Sequence, residues 1–174
     1  MSLPTYVPTS ELVLPQKHLA ASLAASSTFQ TLCGADDAEA AEEFINIRAY
    51  TGDTRPMALL TGEAVNSPMV AVGAANILRP EGSIELLIQL DTPAEESADY
   101  RDSPGDAYWW FFDQVGKIFA EMVALSRTPG YLNITGMQVL ELTRSVETVR
   151  PVSGGGEEDV VVSYWQGIMS VNYQ

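Results

Sequence analysis

A chain of 174 residues that is 46% hydrophobic is long enough to bury one core. Its 23 acidic and 9 basic residues give a net charge of −14, and such a surface repels phosphate, so groove-reading or strand-coating of nucleic acid is not expected. The single cysteine excludes an internal disulfide and a multi-cysteine metal site, and no apolar stretch reaches the roughly 20 residues of a membrane span.

The first 15 residues are predicted to form an extended arm, because prolines at positions 4, 8 and 15 fix φ and remove backbone donors. Apolar side chains lie between these prolines, so we expect the arm to lie along a neighbouring subunit. The arm residues predicted to make that contact are Tyr6, Val7, Leu12 and Val13.

Helical spacing follows the arm. Residues 16–33 are predicted to form one helix, with Gly34 as its C-cap. Asp36 or Asp37 is then positioned to cap a second short helix that ends near Phe44. The acidic residues of that second helix are interpreted as a solvated face and not as a metal site.

The middle of the chain has the spacing of strands. Strands are predicted at residues 47–50, 57–60, 69–78 and 83–91, with a turn at 51–53. The last of these alternates most regularly, and the turn at residues 79–82 before it predicts an antiparallel hairpin. The apolar face of this strand carries Ile84, Leu86, Ile88 and Leu90.

The strongest helix is predicted at residues 106–127, after an acidic loop at 92–105 that lacks the spacing of a calcium loop. Its apolar stripe is expected to pack on the sheet. The stripe comprises Tyr108, Phe111, Phe112, Val115, Phe119, Met122 and Val123.

Two long strands are predicted at residues 132–142 and 158–173. A hairpin at 149–159, tipped by three glycines, is expected to project between them, and Val149 and Val152 are predicted interface residues. Both faces of the last strand carry large apolar side chains, so one face is expected to meet a neighbouring subunit, and Trp165 is a further predicted interface residue.

The resulting fold class is α+β: residues 16–174 form a single domain with a mainly antiparallel sheet flanked by helices, and the long helix packs on that sheet.

The sequence contains no recognisable set of catalytic residues. No nucleophile elbow, zinc-protease helix or dinucleotide-binding loop is present, and His18 and Cys33 lie about four turns apart on the predicted helix, too far to act together. We therefore expect no enzyme activity, no cofactor and no metal.

Several stretches carry a resemblance to a known family. They are the Ala-rich helix at residues 18–29, Arg55-Pro56-Met57-Ala58-Leu59-Leu60, Leu86-Leu87-Ile88-Gln89-Leu90, Gly130-Tyr131-Leu132-Asn133-Ile134-Thr135-Gly136 and Tyr164-Trp165-Gln166-Gly167-Ile168-Met169-Ser170-Val171. In this order, with the acidic loop and the long helix among them, they resemble the tail terminators, the small tail-completion proteins of long-tailed bacteriophages.

The resemblance implies a structural virion protein of the tail or neck, made and assembled in the host cytoplasm. It implies a hexameric ring that caps the tail tube, contacts the tube protein and the head–tail connector, and lets DNA pass without binding it specifically. No contact with a membrane is implied. Two alternatives stay open: another neck or minor tail protein, such as a connector adaptor, or a non-viral α+β binding module.

Overall fold

The computed structural model describes residues 14–47, 57–61, 69–72, 77–80, 82–91, 104–149 and 160–174. The helices in these ranges are α1 (Leu14–Ala24), α2 (Ser27–Cys33), α3 (Ala38–Glu42) and α4 (Pro104–Leu125). The strands are β1 (Ile45–Ile47), β2 (Met57–Thr61), β3 (Met69–Val72), β4 (Ile77–Pro80), β5 (Gly82–Asp91), β6 (Ile134–Val149) and β7 (Val160–Tyr173).

The main sheet has five strands in the order β1-β2-β5-β7-β6, and β3 pairs with β4 in a separate two-stranded sheet. The pairs β2–β5, β5–β7 and β6–β7 are antiparallel, and β1 lies parallel to β2. The predicted α+β class with a mainly antiparallel sheet is confirmed.

The central strand β5 keeps the alternation that the sequence predicts. Its residues Ile84, Leu86, Ile88 and Leu90 are buried, and the residues between them are half-buried. The predicted hairpin with the preceding run is wrong, because β5 pairs with β2 and β7. That run is two strands, with Met69 opposite Pro80. Gly73 and Asn76, which separate the two strands, are residue types typical of turns.

The predicted helix 16–33 is two helices. Ser26 has extended backbone angles, and its hydroxyl accepts a hydrogen bond of 3.1 Å from the Phe29 N–H, so it caps α2. Ser26, Ser27 and Thr28 follow one another, and such side chains compete with helical backbone bonds, which explains the break. The predicted caps Gly34, at φ 64°, and Asp37 are confirmed.

Two boundaries of secondary-structure elements differ from the predicted ones. Leu14 and Pro15, predicted to belong to the arm, form the start of α1, where a proline costs little because the first N–H groups of a helix have no intrahelical partner. Strand β1 begins at Ile45, two residues before the predicted strand, and residues 48–56, including the predicted turn, lie outside the described residues.

Helix α4 packs on one face of the sheet. Its buried residues are Phe111, Val115, Ile118 and Met122, which return every three or four positions to the same side of the helix. The predicted stripe is only partly buried: Tyr108 and Val123 keep 37% and 41% of their surface exposed. Ile118, which the prediction omitted, is buried in place of them.

The Phe111 ring projects from α4 and lies directly over β7. A Cβ added at Gly167 would come within 3.1 Å of Phe111 Cζ and 3.2 Å of Cε1, so glycine lets the ring approach the strand. Phe111 also stacks on Trp165, with ring centroids 6.1 Å apart. These contacts fix the position of α4 over the sheet.

Candidate interaction surface

Helix α4 has two flanks with different neighbours. Because successive residues turn by 100°, Glu121 projects on one side of the buried face, while Phe119 and Val123 project on the other. On the Glu121 side lie α2 and α3, which lead towards the β1 edge, since Phe44 O accepts a 2.9 Å hydrogen bond from Ala58 N of β2. Strand β6 forms the opposite edge of the sheet.

On the α2 flank, the contact is polar and saturated. The Glu121 carboxylate accepts hydrogen bonds from Ser26 Oγ at 2.6 Å, Ser27 Oγ at 2.9 Å, and Thr28 N and Oγ1 at 3.0 and 2.9 Å. Burial raises the pKa of Glu121, but these hydrogen bonds outweigh it and lower the pKa from 4.5 to about 2. The carboxylate therefore fastens the start of α2 to α4.

The β6 flank is apolar and partly open. We define the α4–β6 groove as Phe112, Phe119 and Val123 of α4 together with Met137, Val139 and Leu142 of β6. Val139 pairs with buried Met169, and Leu142 pairs with Gly167, so both lie on the sheet face that α4 covers. Val139 nevertheless keeps 39% of its surface exposed, and Leu140, at a register shift, keeps 48%.

Aromatic rings line the groove where α4 begins. Tyr108 contacts Phe112 and Trp165, with ring centroids 4.7 and 5.9 Å away, and packs edge-on against Trp109 at 5.5 Å. Trp109 is 69% exposed. Two buried donors nearby, Arg144 Nε and Trp165 Nε1, have no hydrogen-bond partner among the described residues. This end of the groove therefore combines exposed aromatic surface with unused donors.

The groove is also nearly free of charge. Between Trp109 and Ala124, α4 carries three charged residues. Glu121 is held by α2, and Asp113 and Lys117 form an ion pair with each other. On β6, Arg144 pairs with Trp165 and so lies on the α4 face at the aromatic end of the groove. In a chain of net charge −14, the groove is thus an apolar surface with a single cation at one end, and a charge-depleted centre is typical of protein interfaces.

No protein-family model matches this sequence, and no curated protein matches it. The likeness to tail terminators therefore rests on the sequence features given above.

The opposite face of the sheet is less distinctive. Leu59, Leu87 and Ile168 form a cross-strand row there, and all three are half-buried. Beside them, Gln89 Nε2 donates a 2.7 Å hydrogen bond to Gln166 Oε1. This face therefore mixes apolar and polar groups.

The residues that the sequence predicted for the interface have different positions. Tyr6, Val7, Leu12, Val13 and Val152 lie outside the described residues, and Val149 is the last residue of β6, paired with Val160. Trp165 lies in the core.

Trp165 is only 7% exposed, beneath Tyr108 and Phe111. The alternation of β7 places it on the α4 face with Met169 and Val171. Its ring is therefore not available to a neighbouring subunit.

The groove is what the sequence prediction missed. The sequence assigns all seven apolar positions of α4 to one buried stripe that spans about 120° at 100° per residue, whereas the buried residues Phe111, Val115, Ile118 and Met122 span only about 60°. The width of the stripe was the available signal, since Phe112, Phe119 and Val123 lie at one margin of it.

The described residues offer no evident reactive centre. Burial raises the pKa of the Cys33 thiol to about 12, which leaves it protonated and unreactive near neutral pH. Among the described residues, no group of three or more His, Cys, Asp or Glu side chains could hold a metal ion. No helix in the described ranges is both long and apolar enough to span a membrane.

Proposed function

We propose that this chain is a structural assembly subunit, the tail terminator of a long-tailed bacteriophage. In this proposal, six copies form a ring that ends the tail tube and joins it to the head connector. The observation that supports an assembly role is the α4–β6 groove, an apolar surface poor in charge on an acidic protein. The sequence resemblance supports the specific role in the tail.

Ring formation requires two different surfaces on each copy, because head-to-tail contacts close only when a donor patch meets a separate acceptor patch. Like-charged copies repel one another wherever acidic surfaces meet. A groove whose walls carry no unpaired acidic side chain removes that repulsion at the contact, and the remaining acidic surface is free to line a channel through which DNA slides.

Tube capping tests the proposed role directly. Tail tube protein from the same phage is polymerised with and without this protein, and tube lengths and ends are measured by negative-stain electron microscopy. We expect rings on one end of the tubes and no growth from that end. Tubes that keep growing from both ends at saturating protein would overturn the tail terminator role.

Binding to DNA provides a second test. The isolated protein is expected to leave duplex DNA unshifted in a gel at physiological salt, because it has no basic cluster to neutralise phosphates. A shift that weakens with added salt at micromolar protein would contradict passage of DNA without binding.

A further inference from the structure

We propose that the α4–β6 groove of one copy binds residues 1–13 of a second copy. This inference rests on the proposed function, because it names the donor and the acceptor of the contact between subunits. The segment ends where α1 begins, at Leu14.

The chemistry of the segment matches that of the groove. Residues 1–13 contain a single charged side chain, Glu11, in a protein with 23 acidic residues. Their apolar side chains are Leu3, Tyr6, Val7, Leu12 and Val13. An apolar segment with one charged side chain gains most from burial on an apolar surface that is also poor in charge, because little charge has to be desolvated.

The conformation that the prolines impose also fits the groove. Pro4 and Pro8 disfavour a helix and remove two backbone donors, so the segment is suited to lie extended and to bind through its side chains more than through strand pairing. Thirteen extended residues reach about 40 Å, whereas the groove from Tyr108 to Val123 is about 22 Å long at the helical rise. The segment is therefore long enough to fill the groove and to cross between copies.

The position of α1 favours a second copy as the donor. Helix α1 packs with α2, α3 and α4, and the residues that follow it are fastened to the flank of α4 that faces away from the groove. Near its end, Ser22 Oγ also accepts a 3.0 Å hydrogen bond from Leu132 N, two residues before β6. Within one molecule, the segment would therefore reach the groove only by passing over α4 or around one of its ends. Between adjacent copies in a ring, the donor flank of one molecule faces the acceptor flank of the next, and the same contact repeats until the ring closes.

Disulfide crosslinking tests the contact. Two variants are made in a Cys33→Ser background, Val7→Cys in the segment and Val139→Cys in the groove, and they carry different affinity tags. Oxidation of the mixture is expected to give a crosslinked dimer that carries both tags, since a disulfide forms only when the two Cα atoms come within about 7 Å. Pairing Val7→Cys with Glu39→Cys, on the exposed face of α3, is the matched control and is expected to give only background.

The double variant Val7→Cys/Val139→Cys separates the two sources of the segment. At high dilution, a crosslink within one molecule would show that the chain binds its own segment, and this would overturn the proposal. A mixed-tag dimer no more abundant than in the Glu39→Cys control would overturn it as well. A mixed-tag dimer well above that control, together with no crosslink at dilution, supports the contact between copies.

Light scattering separates this inference from the proposed function. Deleting residues 1–13, or changing Val139 to Asp, is expected to leave folded protein at the mass of a monomer, which is 18.8 kDa for the full chain and correspondingly less for the deletion. If both variants still form rings that cap tubes, the groove contact is wrong and the tail terminator role stands. If segment and groove crosslink but the assemblies never cap a tube, the contact stands and the role is wrong.

Discussion

The two flanks of α4 differ in polarity and in exposure. On the α2 flank, one carboxylate accepts four hydrogen bonds from three consecutive residues, and every group in the contact comes from the same chain. On the β6 flank, Phe119 and Val139 remain partly exposed, and the described residues provide nothing to cover them. The hydrogen-bonding groups of the polar contact are already used within the chain, whereas the apolar flank still has exposed surface that a partner can bury.

The contrast between the two flanks predicts which part of α4 stabilises the fold and which part would contact another copy. The buried face and the α2 flank are expected to control unfolding, and the β6 flank is expected to control association. Substitutions along α4 and at its contacts are therefore expected to separate the two properties, with effects on the free energy of unfolding that decrease from the buried face to the groove.

The largest effect is expected at the buried face. Phe111→Ala removes a ring that is 2% exposed and stacked on Trp165, so it should lower the free energy of unfolding by about 3–5 kcal/mol in urea titrations. The matched substitution Phe119→Ala, on the groove side, should cost clearly less because that ring is only partly buried. Equal losses at the two positions would show that the flank is as much part of the core as the buried face.

A smaller effect is expected where α4 touches β7. Gly167→Ala places a methyl group within 3.1 Å of Phe111, and such overpacking should cost about 1–3 kcal/mol. Combining it with Phe111→Leu should cost less than the sum of the two single changes, because the shorter side chain makes room. Strict additivity in this double-mutant cycle would mean that the contact does not position α4.

On the α2 flank, Glu121→Gln weakens the capping bonds and should cost about 1–2 kcal/mol at neutral pH. The pKa of Glu121 is lowered from 4.5 to about 2, so its charge contributes fully above pH 4.5, and the contribution is lost as the pH falls towards 2. The gap between wild type and variant should therefore narrow below pH 4.5. A gap that stays constant down to pH 2 would exclude the charge as its source.

The smallest effect on unfolding is expected on the groove. Val123→Ser changes a side chain that is 41% exposed, and it should shift the free energy of unfolding by less than about 0.5 kcal/mol. Association measured by light scattering should nevertheless weaken. A stable variant that assembles as well as wild type would place the subunit contact elsewhere.

The sequence predicted most reliably where one physical signal dominated. Burial alternates along β5 because one of its faces is covered, and only Leu87 departs from the matching alternation in sequence. Gly34 caps α2 because a residue without a side chain tolerates a φ of 64°, and Asp37 caps α3 because its carboxylate accepts a hydrogen bond from Ala40 N. Pairing was harder to predict. The short pair β3–β4 and the pairing of β5 with distant β7 depend on packing between parts of the chain that local patterns do not report.

The candidate surface was predicted only in part. The sequence indicated an apolar, proline-containing segment that contacts a neighbouring subunit, and it named Trp165 of the last strand as a further interface residue, which the structure buries. Alternation alone shows that both faces of β7 are apolar, and it cannot show which one a helix covers. The groove depends on how far α4 extends over the sheet, a property of tertiary packing.

The strand order also has a consequence for how the chain acquires its binding surface during synthesis. Strand β6 joins the main sheet only through β7, and β7 pairs with β5 across more than seventy intervening residues. Until residues 160–173 leave the ribosome, β6 has no place beside α4, and the two walls of the groove cannot come together. Under the proposed contact, an unfinished chain would therefore lack the acceptor surface, and only chains with a completed sheet would be able to bind the segment of another copy.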